Sequence, residues 1–373
     1  MTSCPSSPSP SSPSSPSFSA PYDWLDWTTF NVFEFDRSTA HHPLRVLTLD
    51  LITRFKLSHL VDTHALTLFL DEIERLYTIQ HNPYHTSVHA ADVVATVGTM
   101  LLLDGDRLFE VFRDWELLSL VVACVGHDVG HQGVTNGYHA RLKTAWWRKY
   151  GGERGKEQSI NELAHADITL GLIRDDTYDF LKGMEVERRK KVLEYVERMI
   201  LQTDITWHED VCDRFGRACR KEAGEWSEED RIRILSGLLH FADVSNPGRP
   251  WGLCKRWGEL IWEEQRGEER RLLPQISCRE EDGGRHVANS DARGTERRER
   301  KEGELEELLL NSTQMTLASC QIAFIQSRIQ PFCAQVSLVS PVFAALVVPY
   351  LAESVKAWQR EAETLTVSEA LDM

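Results

Sequence analysis

A histidine–aspartate pair follows an apolar run in the first half of the chain. His127 and Asp128 come directly after residues 117–125, and His131 lies four residues beyond His127. If the run is helical, the two histidines share a face with their Cβ atoms about 5–6 Å apart, and Asp128 is placed to bridge two ions. Imidazole beside carboxylate is a ligand set for a borderline or hard divalent metal. The alternative is a polar helix end whose histidines only form hydrogen bonds.

Three other places in the chain carry residues of the same type. His85 and His89 are four residues apart, Glu162 and His165 are three apart, and Asp243 ends an apolar segment. Several such groups favour a metal centre over core histidines. Two ions about 3.5–4 Å apart hold a hydroxide at neutral pH and polarise phosphoryl oxygens, and a nearby histidine can protonate an alkoxide leaving group.

Composition excludes several classes of protein. The chain has 373 residues, 42% of them hydrophobic, and a formal charge of −15, which argues against a nucleic-acid-binding surface. Its eight cysteines form no CxxC pair and are typical of a reduced intracellular protein. We find neither an uncharged apolar run of about 18 residues nor a signal peptide. The sequence therefore predicts a cytoplasmic protein.

The apolar residues recur at helical spacing along almost the whole chain, and no segment shows convincing alternation. Asp62 or Thr63 is a plausible N-cap of an early helix. Helices are expected over residues 44–79, 84–103, 115–126, 157–172, 186–205, 228–242, 251–265, 305–330 and 340–360. The sequence therefore predicts an all-α fold.

Composition also divides the chain. Residues 1–21 are almost entirely serine and proline, which predicts a disordered tail. We expect one compact multi-helix domain over 22–362 and a C-terminal tail over 363–373. Within the domain, the dense mixed charge of residues 266–304 predicts a long solvated loop.

Four motifs occur in a fixed order. They are Tyr84-His85-x-x-x-His89-Ala90-x-Asp92-Val93, His127-Asp128-x-x-His131-x-Gly133-x-x-Asn136, Ala242-Asp243-x-x-Asn246-Pro247 and Gln321-x-x-Phe324-Ile325. This ordered set resembles the catalytic domain of the class I cyclic nucleotide phosphodiesterases, a fold of the HD phosphohydrolase type. The resemblance extends from about Trp24 to Trp358.

The resemblance implies a two-metal site at the centre of the domain. By this similarity His89, His127, Asp128 and Asp243 would hold a first ion, normally Zn²⁺. Asp128 would bridge to a second ion, Mg²⁺ or Mn²⁺, and a hydroxide held between the two would attack phosphorus.

The same resemblance assigns catalytic roles to residues around the metals. His85 would protonate the departing 3′ oxygen, and Glu162 matches the glutamate that orients it. His131 and Asn136 would hold water molecules on the metals and the phosphate in a surrounding shell, which matters almost as much as the ligands.

A base pocket is also implied. Gln321 would bind the purine edge, while Phe324 would stack on the base and Ile261 would close the other side. Without the metal motifs, Phe324 and Ile261 would be interpreted as ordinary core. The remaining pocket positions by similarity are Tyr84, Asn246 and Trp257.

Some positions depart from the family pattern. Thr86 replaces a common asparagine, and Gly130 replaces a common acidic residue. Cys254 and Gly258 replace larger residues beside the pocket, which could enlarge it. All the metal-type ligands and the purine glutamine are present, so we expect an active enzyme.

The sequence thus predicts hydrolysis of a 3′,5′-cyclic nucleotide to the 5′-monophosphate, which would end cyclic nucleotide signalling. Cyclic AMP is favoured, because the segment around Asn246 is similar to the branch of the family in which this residue contacts adenine. Cyclic GMP or dual specificity is the alternative. Two other hypotheses are a more distant phosphohydrolase of nucleotide polyphosphates and a catalytically silent helical module. The expected partner is a small-molecule substrate, and the sequence leaves the oligomeric state open.

Overall fold

The described part of the protein consists of helices joined by turns and loops. The structure, a computed structural model, describes residues 23–104, 111–151, 159–283 and 316–371, without the side chains of 273–283 and 365–371. No strand occurs in these ranges, so the predicted all-α class is confirmed. None of the helices found there is long and apolar enough to cross a membrane. The predicted disordered tail, residues 1–21, lies outside the described residues.

The α-helices are numbered here in chain order. They are α1 (Val32–Ser38), α2 (Pro43–Arg54), α3 (Thr63–Thr78), α4 (Ser87–Leu103), α5 (Asp114–Gly126), α6 (Asn136–Leu142), α7 (Ile160–Arg174), α8 (Val186–Leu201), α9 (His208–Cys219), α10 (Glu228–Val244), α11 (Trp251–Gly283), α12 (Leu317–Phe324), α13 (Gln330–Val336) and α14 (Pro341–Leu371). The predicted cap of α3 is confirmed, because the Asp62 side chain accepts hydrogen bonds from the first-turn amides.

Two central helices, α4 and α5, are buried along nearly their whole length. Helices α2 and α10 pack on α4, while α8 packs on α5. Since both are apolar on all sides, they must lie inside the bundle. The start of α4, the end of α5 and the end of α10 then meet in the interior. The residues of metal-ligand type lie at these three helix ends.

Glycine residues allow two pairs of helices, α5 with α7 and α10 with α9, to pack closely. A Cβ atom on Gly126, the last residue of α5, would lie 2.2 Å from the Thr169 hydroxyl of α7. One on Gly237 in α10 would lie 2.2 Å from the Phe215 ring of α9. Neither position accommodates a side chain without displacing its neighbour, so glycine sets the spacing of both helix pairs.

Two helices extend beyond their predicted ends. Helix α11 continues to Gly283, so the loop expected over 266–304 is wrong for residues 266–283, and its remainder lies outside the described residues. Mixed charge at helical spacing suits an exposed helix, as the 2.8 Å pair of Arg266 and Glu269 shows.

Helix α14 also continues beyond its predicted end at residue 360, so the expected C-terminal tail, residues 363–373, is helical as far as Leu371. Glu361, ten residues before the end of α14, is 2.8 Å from Lys255 of α11, and this ion pair joins the two helices. Residues 372–373 lie outside the described residues.

Candidate functional site

Four of the predicted ligand residues come together where the buried helices meet. His89 is in the first turn of α4, His127 and Asp128 directly follow α5, and Asp243 is in the last turn of α10. One side-chain nitrogen or oxygen of each lies within 4.8 Å of the others. Helix ends therefore bring together residues that are up to 154 positions apart in the chain.

The geometry of this cluster fits a divalent cation. His89 Nε2 is 2.9 Å from Asp243 Oδ1, His127 Nε2 is 2.9 Å from Asp128 Oδ2, and the two Nε2 atoms are 3.4 Å apart. His127 donates from Nδ1 to the Cys124 carbonyl at 2.9 Å. Its Nε2 therefore faces the cluster, and it presents a lone pair to a metal when the ring is neutral. Asp128 Oδ2 is buried without a hydrogen bond, so a cation there would satisfy these atoms together.

The pKa values of the two carboxylates, Asp243 and Asp128, also fit a site for a divalent cation. Burial acts to raise the pKa of Asp243, but hydrogen bonds with His127 and His89 outweigh it and hold that pKa well below its usual range. Burial likewise opposes ionisation of Asp128, but the charges of His127 and His85 and the hydrogen bonds from His127 and His89 together outweigh burial and hold the pKa of Asp128 well below its usual range. Both carboxylates therefore stay ionised at neutral pH, as oxygen ligands of a metal must be.

A second group lies beside the cluster and centres on His85. The His85 Nδ1 donates to Oε1 of Glu264, a residue of α11. Glu264 Oε2 accepts from the backbone amides of Tyr84 and His85 at 3.0 and 3.1 Å. The His131 ring stacks on His85 with ring centroids 3.8 Å apart. His85 is thus fixed in orientation on two sides.

The two stacked rings, those of His85 and His131, differ in their pKa values. Burial alone would lower the pKa of His85, but the neighbouring carboxylates, Glu264 before Asp128, raise it to about 9. Burial and the charge of His85 hold the pKa of His131 well below its usual range. At neutral pH His85 is therefore protonated and His131 is neutral, which places a proton donor next to the cluster.

The predicted role of Glu162 does not match the structure. Its Oε2 accepts from Asn136 Nδ2 at 2.9 Å, whereas the carboxylate on His85 is that of Glu264. Burial, followed by the charge of Asp204, raises the pKa of Glu162 to about 8. Glu162 therefore fixes Asn136 instead of His85.

Sequence reasoning missed Glu264, although a signal was present. Glu264 is seven residues after Trp257 and three after Ile261, two residues already assigned to the pocket. This spacing puts all three on one helix face. The resemblance assigns Glu162 to His85 instead, so Glu264 receives no role from the sequence.

The expectation that His127 and His131 share a helical face is also wrong. Helix α5 ends at Gly126, and the chain then turns through Gly130 at φ +75°. His131 Nδ1 accepts from the Gly133 amide at 3.0 Å. The turn directs His131 towards His85 instead of into the ligand cluster.

A cavity of about 680 Å³ adjoins both groups. Among the predicted site residues, its lining includes Tyr84, His85, Asp128, His131, Asn136, Glu162, Asp243, Asn246, Trp257, Ile261, Gln321 and Phe324. His89 and His127 lie behind this surface and are fully buried. The cavity is polar at the metal-type cluster and apolar at its other end, an arrangement that suits a small ligand with one charged and one flat apolar part.

The expected enlargement of the pocket at Gly258 is absent. A Cβ atom on Gly258 would lie 2.9 Å from the Trp358 ring and 3.3 Å from Cδ of Gln321. Trp358 is buried and fills the space that a larger side chain would take. The missing side chain therefore leaves no added volume at this point.

The orientation of the Asn246 amide is fixed on both sides. Its Oδ1 accepts from the Tyr84 hydroxyl at 2.5 Å, and its Nδ2 donates to Asp92 Oδ2 at 3.2 Å. Because a carboxylate only accepts, the atom facing Asp92 must be the nitrogen. Asp92 in turn pairs with the buried Arg249. One N–H and one lone pair of Asn246 remain for a ligand.

Comparison with known proteins agrees with the resemblance seen in the motifs. A sequence model of the 3′,5′-cyclic nucleotide phosphodiesterase family matches residues 84–281. A human dual specificity calcium/calmodulin-dependent 3′,5′-cyclic nucleotide phosphodiesterase is 31% identical over 242 residues, which is 64% of this chain and 43% of that protein. A probable 3′,5′-cyclic-AMP phosphodiesterase of Caenorhabditis elegans is 31% identical over 264 residues, 68% of this chain and 38% of that protein.

The fold also matches a solved structure. The phosphodiesterase domain of the RhoPDE fusion protein of the choanoflagellate Salpingoeca rosetta superposes with a TM-score of 0.73 at 20% identity, covering 93% of this chain and 98% of that one. The chain spans less than half the length of the curated relatives it matches.

Proposed function

Because the chain belongs to the family of 3′,5′-cyclic nucleotide phosphodiesterases, we propose that it hydrolyses a 3′,5′-cyclic nucleotide to the 5′-nucleoside monophosphate. The observation that carries the proposal is the position of His85, which Glu264 holds beside a four-residue metal-type cluster on one cavity. A proton donor next to ligands for a divalent cation is what cleavage of a phosphodiester requires.

His89, His127, Asp128 and Asp243 would hold the first ion, for which we propose Zn²⁺. Asp128, which lines the cavity, would also reach the second, Mg²⁺ or Mn²⁺. When bound, these ions supply Lewis-acid activation of water and of the phosphoryl oxygens.

His85 supplies the proton that the reaction needs. As water adds to phosphorus, the bond to the 3′ oxygen breaks, and His85 donates its Nε2 proton to that oxygen. Glu264 holds the Nδ1 proton and so fixes which nitrogen faces the cavity. Because His131 is neutral, it accepts hydrogen bonds without adding a second positive charge to the pair.

Asn136 and His131 would bind the phosphate and the attacking water. Asn136 is fixed by three hydrogen bonds: its Nδ2 donates to Glu162 and to Asp204, and its Oδ1 accepts from the Asn161 amide at 2.8 Å. Asn161 Nδ2 also donates to the Val134 carbonyl at 2.9 Å, so these groups are preorganised on one wall of the cavity.

We propose cyclic AMP as the preferred substrate. Asn246 keeps one donor and one acceptor, the pair that matches N7 and N6 of adenine. Phe324 and Ile261 offer apolar surface to the base, and Gln321 lies at the same end of the cavity. Within the described residues no hydrogen bond fixes the Gln321 amide, so it can turn to serve guanine. This observation favours dual specificity as the second candidate.

Two single variants separate metal binding from proton donation. Asp243→Ala removes a ligand, so we expect loss of both metal and turnover. His85→Ala leaves the ligand cluster intact, so the metal should remain while kcat falls about 10²–10⁴-fold. Metal content by mass spectrometry and release of 5′-AMP from cyclic AMP measure the two effects.

The exposed His64 provides the control, because His64→Ala removes an imidazole away from the cavity and should match the wild type. Unchanged kcat in His85→Ala would show that His85 is not the proton donor. Metal-loaded protein without turnover of any cyclic nucleotide would favour the silent helical module.

A further inference from the structure

Helix α11 presents a row of side chains to the site. Trp257, Ile261, Glu264, Glu268 and Arg271 follow one another at intervals of four, three, four and three residues, which puts them on one helix face. The first four line the cavity, and Glu264 also holds His85. The last two lie one and two turns further along, in the part of the helix that the sequence had predicted as a loop.

Glu268 holds the start of α6. Its Oε2 accepts from the Thr135 amide at 2.7 Å, and its Oε1 accepts from the Thr135 hydroxyl at 2.8 Å. The same hydroxyl accepts from the Tyr138 amide at 3.2 Å and so caps α6. Glu268 therefore fixes the cap immediately before Asn136, the first residue of that helix.

Arg271 holds the loop before α6. Its guanidinium donates to the Gln132 carbonyl at 3.2 Å and to the Gly133 carbonyl at 2.5 Å. Gly133 has φ +63°, and a Cβ atom there would lie 2.6 Å from Asn82 Oδ1 and 3.3 Å from Arg271. The backbone thus passes between Asn82 and Arg271 with no room for a side chain.

The ends of this loop are the groups assigned to phosphate and water. His131 stacks on His85, and its carbonyl accepts from Asn82 Nδ2 at 2.7 Å. Asn136 stands at the other end. Within this loop Arg271 contacts the backbone between these two residues, so these contacts would act on the reaction through the placement of His131 and Asn136.

We propose that Glu268 and Arg271 are positioning residues, which hold residues 132–135 so that His131 and Asn136 keep their places. The part of this proposal that concerns reaction rate rests on the proposed function, the hydrolysis of a cyclic nucleotide. The competing explanation is that both residues only add to the general stability of the fold. Since α11 also carries Glu264, one helix would set the proton donor and the phosphate-binding loop together.

The test compares Arg271→Ala with Arg270→Ala, a matched loss of charge at the exposed neighbouring residue. We expect Arg271→Ala to lower kcat about 10-fold with KM close to that of the wild type. Arg271→Lys should be intermediate, because an ammonium cannot hold both carbonyls as a guanidinium does. Amide hydrogen exchange should accelerate over residues 131–137 in Arg271→Ala and not in Arg270→Ala.

Two results would overturn the proposal. One is an Arg271→Ala enzyme with the kcat and loop exchange of Arg270→Ala. The other is exchange that accelerates equally in α4, α5 and the loop, which is the sign of general destabilisation. Absence of turnover in the wild type would refute the proposed function instead. The exchange comparison needs no activity and would still decide whether Arg271 positions the loop.

Discussion

His85 and Glu264 form the pair on which the proposed chemistry depends. Glu264 is buried and makes three hydrogen bonds, one to the ring of His85 and two to backbone amides. Burial opposes its ionisation, but the charge and hydrogen bond of His85, together with His131 and the Tyr84 amide, outweigh burial and lower the pKa of Glu264 to about 2. The carboxylate is therefore ionised throughout the neutral range and keeps the imidazole charged.

Replacing Glu264 with glutamine should shift the pH dependence of the enzyme. Glu264 raises the folded pKa of His85, so the protonated donor is present below that pKa and is lost as pH rises through it. Without the carboxylate the pKa falls, and kcat should decline at a pH lower by roughly 1–3 units. A pH–rate profile of Glu264→Gln against the wild type measures the shift.

Glu263→Gln is the matched control, because Glu263 is exposed and precedes Glu264 on the same helix. Its pH profile should coincide with that of the wild type. An alkaline limb of Glu264→Gln that does not move would show that Glu264 does not set the charge of His85.

At the scale of residues, the sequence predicted the ligand cluster but not its surroundings. The motif resemblance names His89, His127, Asp128 and Asp243 as the ligands, and the structure brings their side chains together. The partner of His85 could not be identified in that way, because Glu162 and Glu264 are both plausible carboxylates. Which of them reaches the ring depends on how α7 and α11 pack, and no local pattern shows this.

At the scale of elements, the ends of helices bring the site residues together, and buried polar pairs fix the positions of those helices. Asp92 of α4 pairs with Arg249, which directly precedes the segment leading into α11, and both side chains are almost fully buried. The Arg249 guanidinium lies 3.7 Å from the centre of the Trp27 ring. The same Asp92 accepts from Asn246, so the pair joins α4 to the base end of the cavity.

Arg249→Met should be strongly destabilising. The variant keeps an unbranched side chain against Trp27 but leaves the Asp92 charge buried without its cation, at a cost of about 3–5 kcal/mol in the free energy of unfolding. Denaturant titration of the purified protein measures this loss.

The double variant Arg249→Met, Asp92→Asn checks the cause. It removes the uncompensated charge, so it should be more stable than Arg249→Met alone. A double variant as unstable as the single one would show that packing, and not charge, accounts for the loss.

Helical periodicity predicted which segments form helices better than it predicted where those helices end. The apolar pattern of residues 115–126 yields α5, because a helix that is apolar on all sides must be buried. The turn at Gly130 and the continuation of α11 to Gly283 were not predicted. The first depends on one glycine at positive φ. The second depends on charged pairs that are equally compatible with a loop.

At the scale of the whole molecule, helices distant in the chain form one cavity. Helix α4 supplies a metal-type ligand, α11 supplies Glu264 and one wall of the cavity, and α12 supplies Gln321 and Phe324. The net charge of −15 does not favour an anionic substrate in general. Metal ions would supply positive charge at the place where the phosphate binds.

The most direct test of the central claim is release of 5′-nucleotide from cyclic AMP and from cyclic GMP by the purified chain. Each reaction is measured as isolated, after chelation, and after Zn²⁺ and Mg²⁺ are restored. We predict release of 5′-AMP that chelation abolishes and the metals restore, with a higher kcat/KM for cyclic AMP than for cyclic GMP. Metal-loaded protein that releases neither 5′-AMP nor 5′-GMP would contradict the account.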